Sequence, residues 1–537
     1  MKSMKLFLFS TAAGLVTLTG AQAADLPVKA KPVEYVKICS LYGSGFYYIP
    51  GTDTCIKLGG RLVADLTIHG NLFDGPAWSN NNGANDRFAH DFNTRARLTF
   101  QVDTRTASQY GVVRTFGQAD YQFSTYGAVG SINTALVNGS AATGGVNNDT
   151  PGNGFVAIAQ VFLQFAGFTF GKSFSARAVP WHGYAANNHT FAFIGGPDYV
   201  TGVNNIQYTY QWGNGITTSI GVDEPVVFNR TNLGNVLAPS TTAAAGASNV
   251  AFLGQVGGSG SIGGYAGQSL PDIVGNFKID QAWGIFTVAG GIHEVKATYY
   301  NPALVGPAGT FLGELSGHPG TKIGGSVTAG VQINNVPTGV GDRFTVDATY
   351  AVGDTRTVIG TSFGSPSFQI FGQGIAGQTY QSVGFGFTND GIYSGTNNAN
   401  GTSIQLTTAY GARAAFIHNW DAQWQSSLFG GYSRVDYNST ATGLYCTQYG
   451  RTVAGLNTSY SCNPDFSVYQ VGFRTGWTPV PGLTFGAEVV YSRLDQQFAG
   501  RTGAAVTPSA TLAKPPGIYN FADQETINGN FRVVRNF

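Results

Sequence analysis

Apolar and polar residues alternate with period two in one segment of the chain after another. This is the pattern of strands with one face against an apolar medium and the other against water. Over 59–69, Arg61, Asp65 and Thr67 oppose Leu62, Ala64, Leu66 and Ile68. Over 94–102, Arg95, Arg97, Thr99 and Gln101 oppose Ala96, Leu98, Phe100 and Val102. Asn205, Gln207, Thr209 and Gln211 alternate with Ile206, Tyr208, Tyr210 and Trp212, and Arg343, Thr345, Asp347 and Thr349 with Phe344, Val346, Ala348 and Tyr350. Leu483, Phe485, Ala487, Val489 and Tyr491 form one further apolar face. Alternation alone fits a soluble sandwich with its apolar faces inward as well as a membrane barrel with them outward.

Connection lengths separate the two. Long connections at 70–87, 124–154, 174–204, 224–270, 299–320, 353–403, 438–465 and 495–525 alternate with turns near 104–108 and 334–342 and at 166–167, 213–215, 283–284, 419–421 and 479–482. Eight loops and seven turns join sixteen strands. A sandwich has no reason for so strict an alternation, whereas a sheet in lipid must close on itself to satisfy every backbone group. The predicted fold is all-β: a 16-stranded antiparallel transmembrane β-barrel with long extracellular loops and short periplasmic turns. Both ends of the sheet then lie on the periplasmic side, so the last strand can pair with the first. Phe531, Val533 and Phe537 share an apolar face there, interrupted by Arg535, which must snorkel to the interface. Trp212, Trp283, Trp420, Trp424 and Trp477 fall at or near turns, as an aromatic girdle requires, although aromatic residues also favour strands in general.

Composition agrees with this picture. Only 11% of the 537 residues are charged, against about 25% in ordinary domains, and 29 basic residues balance 28 acidic ones. No polybasic field exists for nucleic acid. The 76 glycines and 21 prolines, without a Gly-X-Y period, exclude both a collagen and a mainly helical protein. Residues 1–23 have a basic start (Lys2, Lys5), an uncharged stretch from Leu6 to Leu18 and Ala21-Gln22-Ala23 as a small-x-small site, and read as a secretory signal peptide. Its removal leaves 27 basic against 28 acidic residues and no methionine. No later apolar stretch is long enough for a membrane-spanning helix.

Four cysteines form two close pairs, Cys39 with Cys55 and Cys446 with Cys462. Four cysteines allow three connectivities. In an oxidising compartment the local pairing is the expected one, since the alternatives would cross most of the chain. A zinc site would want CxxC-type spacing and nearby histidines, and the seven histidines are scattered.

Two motifs invite an enzyme reading. Gly167-Phe-Thr-Phe-Gly171-Lys172-Ser173 is one residue short of a phosphate loop and has no helix after it. Gly360-Thr-Ser-Phe-Gly364 matches a nucleophile elbow but lies in a glycine-rich loop without the strand-to-helix setting. Neither supports catalysis, so no enzyme, cofactor or metal is expected. Ala243–Gly267 and Asn397–Asn400 read as surface loops.

The stretch Cys39-Ser-Leu-Tyr-Gly-Ser-Gly-Phe-Tyr-Tyr-Ile-Pro-Gly-Thr-Asp-Thr-Cys55-Ile-Lys-Leu-Gly-Gly-Arg61 resembles the entrance signature of the alphaproteobacterial outer-membrane general porins. The match is dense from Ala24 to about Asp65, and Phe537 fits it. The resemblance implies three parts: the signal peptide 1–23, an N-terminal disulfide-linked segment 24–57 and the barrel 58–537. It further implies a homotrimer in outer-membrane lipid, a C-terminal strand engaged by the barrel assembly machinery, and passive diffusion of small hydrophilic solutes. The third long loop, 174–204, is implied to fold into the lumen opposite a basic wall, for which Arg61, Arg95, Arg97 and Arg114 fall on polar faces. The loop departs from the acid-rich family pattern: it offers Arg177, His182 and His189 against Asp198. A nearly unselective or mildly anion-preferring pore is therefore expected. A solute-specific channel is the first rival, with Phe162, Trp181 and Phe191 as its candidate residues; a secreted β-rich adhesin or hydrolase is the second.

Overall fold

In a computed structural model the described residues are 37–69, 92–124, 154–181, 186–188, 193–197, 201–226, 229–237, 264–302, 304–360, 368–372, 380–452, 460–501 and 517–537. Sixteen strands carry the architecture: β1 Thr54–Ile68, β2 Phe92–Ser108, β3 Gly111–Ser124, β4 Gly154–Phe165, β5 Phe168–Ser173, β6 Val203–Gly213, β7 Ile216–Asp223 and β8 Asp272–Gln281. The second half is β9 Gly284–Val295, β10 Lys322–Asn334, β11 Arg343–Val352, β12 Thr408–Asn419, β13 Trp424–Asp436, β14 Phe466–Val480, β15 Leu483–Gln496 and β16 Gln524–Asn536. Each pairs antiparallel with the next, and β16 pairs with β1 through Phe531↔Leu66 and Arg532↔Asp65, so the sheet closes. Phe537 completes the seam by exchanging backbone hydrogen bonds with Gly60 at 3.0 and 3.1 Å. Closure leaves no unpaired edge in lipid. Among the described residues no helix is long and apolar enough to cross a membrane, so the crossing falls to strands.

The two faces divide as the alternation predicts. Leu62, Leu98, Val471 and Val489 are exposed outward, whereas their neighbours Val63, Thr99, Gln470 and Glu488 are buried inward. Strand tips depart from expectation by a few residues: β1 begins at Thr54 and β12 at Thr408, and β2 runs to Ser108, so the first turn is Gln109-Tyr110. The turn between β6 and β7 shows why glycine ends it: a Cβ on Gly215, at φ +75°, would stand 1.9 Å from the Asp280 carbonyl oxygen. All five girdle tryptophans are exposed at this end, and Trp212, Trp283 and Trp420 turn their indole N–H groups onto Thr218, Gln281 and Ser426. An apolar ring with its polar tip toward water suits an interface.

The extracellular loops are more than surface lengthening. Short strands Phe368–Phe371, Tyr380–Gly386 and Ile518–Phe521 form one sheet, and Asn232–Asn235, Asn389–Tyr393 and Gln405–Leu406 form another. With two helices, α1 Arg356–Ile359 and α2 Ser439–Thr452, they build an apolar core around Phe371, Val383, Phe385, Tyr445, Tyr449 and Phe498. Asp390 ties two of the loops together, accepting from the Thr231 and Thr355 backbone N–H groups and the Tyr265 hydroxyl at 2.7–2.9 Å. Both cysteine pairs are the local ones, Cys39–Cys55 and Cys446–Cys462. The second fastens α2 to the chain leading into β14. Asn397–Asn400 is an exposed turn, while 243–263 and Thr361–Gly364 of the elbow-like motif lie outside the described residues.

Candidate functional site: the bore and the loop folded into it

The connection between β5 and β6 runs along the inner wall. Its outbound limb begins at Arg177, whose guanidinium donates to Asp354 at 2.8 Å and to Asp272 at 3.0 Å. Asp354 lies two residues beyond β11, and burial pushes its carboxyl up to about 6 against the pull of Arg177. Trp181 follows, its indole N–H donating to Asp347 at 2.7 Å. At the far end the Asn188 backbone N–H donates to Glu488, and the Asn188 carbonyl accepts from Arg532. The return limb passes Ile194, whose N–H donates to Gln470 at 2.8 Å, and Pro197, whose carbonyl accepts from Arg413 at 3.2 Å.

Glycines on the wall make this docking possible. A Cβ on Gly330 would meet the Trp181 ring at 2.6 Å, one on Gly411 the Gly195 oxygen at 2.6 Å, and one on Gly431 the Ile194 oxygen at 2.5 Å. In a strand such glycines are costly, and close approach by another segment is the reason to keep them. Asp347 is the hub of the arrangement. Arg413 grips both of its oxygens at 3.0 and 3.1 Å while Trp181 donates to one of them, so a single carboxylate holds both limbs.

The arginines expected on the wall divide into two groups. Arg95 pairs with Asp65, which is shared with Arg532 of the adjoining β16. Arg97 donates to Gln122 at 2.8 and 2.6 Å and stands 3.6 Å from Asp120. Arg61 lies one strand position pair below Val63, the register partner of Arg97, and makes no ion pair among the described residues. Arg61, Arg95, Arg97 and Arg532 are thus near neighbours, with Asp65 and Asp120 as the acids between them. Arg114 stands apart: it is eight residues from Gln122 along β3, roughly 27 Å at strand rise, and pairs with Asp103 near the periplasmic mouth. His182, His189, Phe191 and Asp198 lie outside the described residues, as does the segment 1–36. Phe162 faces the bore beside Phe116, and Trp181 is buried as a loop anchor.

Sequence reasoning missed Asp347, Arg413, Glu488, Arg532 and Arg474, which donates to the Asn188 side-chain oxygen, as site residues. Their signal was a charged side chain on a strand's polar face, such as Arg413 in Ala412-Arg413-Ala414, but alternation does not say at what height a residue stands. Gly167–Ser173 is β5 with its preceding turn, leading into the loop and not into a helix.

A family model described as "Porin subfamily" matches residues 25–530. The chain is similar to porin Omp2b of Brucella suis biovar 1 (strain 1330), 26% identical over 297 residues that cover 54% of this chain and 65% of that protein. It is similar to the same degree to porin Omp2b of Brucella melitensis biotype 1. The match therefore spans slightly less than two thirds of these relatives' length. Among solved structures it resembles the outer membrane channel DcaP of Acinetobacter baumannii, with a TM-score of 0.51 at 15% identity over 91% of this chain and 99% of that one. At that identity the likeness speaks to the fold.

Proposed function

The chain belongs to the porin subfamily, and from that premise we propose that it forms a water-filled channel in the bacterial outer membrane for passive diffusion of ions and small hydrophilic solutes. The observation that carries this reading is the closed barrel with apolar residues outward, charged and amide residues inward, and a loop fastened inside it. A polar bore lets a solute keep its hydration, so transport needs neither a cofactor nor a covalent step. The family is one of channels rather than enzymes.

The constriction is proposed to lie at Arg61, Arg95, Arg97 and the loop residues Arg177, His182 and Asp198. Four arginines against two carboxylates around Asp65 favour a mild anion preference. Residues 1–23 are proposed to be removed on export, and the barrel to assemble as a homotrimer through the outer-membrane assembly machinery, with its last strand as the recognised segment. Single-channel recording of the detergent-purified protein in a planar bilayer under a salt gradient tests the reading. Conductance linear in salt, in steps of three, with a reversal potential toward the anion side is the expected result; absent current, or clear cation preference, would count against the channel or its polarity respectively.

A further inference from the structure

The periplasmic half of the bore contains an aromatic surface that diffusion does not require. Phe116 and Phe162 are cross-strand partners on the inner faces of β3 and β4, with ring centroids 5.3 Å apart and planes at 28°. Both remain partly exposed. By contrast Phe429, another phenylalanine of the inner wall, is 2% exposed beneath Phe193 of the loop. Apolar rings left facing a wet, polar bore cost free energy that a ligand's apolar face would recover by covering them.

Cations frame the rings. The Arg114 guanidinium lies 5.3 Å from the Phe116 centroid and 5.5 Å from that of Phe162. One carboxylate, Asp103, fixes both Arg114 and Arg105 at 3.0–3.2 Å, and Gln164 accepts from Arg114 at 2.9 Å. These bonds occupy three N–H donors of Arg114 and two of Arg105, out of the roughly five that each guanidinium carries. Arg105 is steadied from behind by Phe46, at 4.8 Å, which belongs to the disulfide-closed N-terminal segment. The site therefore holds positioned donors beside a stacked pair of aromatic rings. Its one carboxylate is already engaged, so a sugar would find few acceptors for its hydroxyls.

We propose that Phe116, Phe162, Arg105 and Arg114 form a binding site for planar aromatic monocarboxylates of benzoate size on the periplasmic side of the constriction. The ring lies against the phenylalanines and the carboxylate takes the remaining guanidinium donors. This deepens the channel reading and rests on it only for the route by which the solute arrives.

Benzoate, cyclohexanecarboxylate and acetate are titrated against the purified protein by calorimetry in detergent and, separately, by current interruption in bilayers. Benzoate is expected to bind about tenfold more tightly than cyclohexanecarboxylate, with acetate weaker still. Phe116→Leu and Phe162→Leu keep apolar bulk but lose the flat face, and each is expected to weaken benzoate about tenfold while leaving heat-modifiable mobility unchanged. Arg105→Gln should weaken all three acids alike. Equal binding of the three acids, or benzoate affinity untouched by either leucine variant, overturns the site while ion currents leave the channel intact. Calorimetric binding of the expected pattern without any current supports the site and sinks the channel.

Discussion

Asp347 gives the most exposed test of how the loop is held. Replacing it by alanine removes the acceptor for Trp181 and leaves the Arg413 guanidinium, whose side chain is fully buried, without its counter-charge. Breaking a buried pair from one side costs about 3–5 kcal/mol. That cost applies mainly to the docked state, because a displaced loop lets bore water reach Arg413. With each 1.36 kcal/mol worth about tenfold, the displaced population rises about a hundredfold to a few thousandfold. The barrel itself should survive, since its ladder is untouched and the loop keeps its anchors at Arg177, Asn188 and Ile194. Single-channel recording should therefore show frequent steps to a larger conductance with unchanged heat-modifiable mobility. The double variant Asp347→Leu/Arg413→Met removes both buried charges and should be quieter than Asp347→Ala, retaining only the loss of the Trp181 bond and of the neutral Pro197 bond. Wild-type noise in Asp347→Ala, or a double variant as noisy as the single, would refute the hub.

Three further outcomes follow from particular contacts. Gly330→Val drives a side chain into the Trp181 ring and should raise conductance in the same way as Asp347→Ala, without altering any charge; recordings of the two variants side by side check this. Cys446→Ser with Cys462→Ser reopens a loop whose closure is worth about 3 kcal/mol, so limited proteolysis should cut the region around α2 while the barrel stays resistant. The buried carboxyl of Asp354, raised to about 6, contributes stability that is full below about pH 4 and is lost as the pH rises through about 6. Thermal midpoints of the wild type should fall relative to those of Asp354→Asn between pH 4 and about 7, and parallel curves would contradict the assignment.

The barrel was legible because lipid imposes a rule that each strand must obey by itself. Leu62 and Leu98 point outward whatever the loops do, and turn spacing fixes the count of strands. The loop's path was not legible in the same way. Arg413 and Pro197 are far apart in sequence, and their contact depends on a glycine track whose members look like any other strand glycine until a second segment is laid on them. Arg61, Arg95 and Arg97 were found because charge on a polar face is visible, while the distance of Arg114 from them was hidden, since alternation carries no height. The apolar core of the extracellular loops escaped for a related reason: Phe371 and Val383 come from one loop and Phe498 from another, and neither shows a period.

The missing acids of the loop have a physical counterpart on the wall. Acceptors for the loop come from Asp272, Asp347, Asp354 and Glu488, and the loop supplies donors: the Arg177 guanidinium, the Trp181 indole and the Asn188 backbone. Those charges are consumed in fastening the loop and contribute little to the field in the water beside it. The anchors that fasten Arg177, Trp181 and Asn188 of the loop fall on β8, β11, β15 and β16 and on Asp354 just beyond β11, while the arginines of β1 and β2 face the bore with Asp65 and Asp120 as their acids. On this reasoning the sign of the pore is set by Arg61 and Arg97 rather than by the loop. Arg61→Gln/Arg97→Gln should shift the reversal potential toward cations without changing the noise. Arg177→Gln should leave the reversal potential near its wild-type value and increase the noise, because it releases Asp272 and Asp354 from their shared partner. A large selectivity change in Arg177→Gln with quiet currents would place the selective charge on the loop after all.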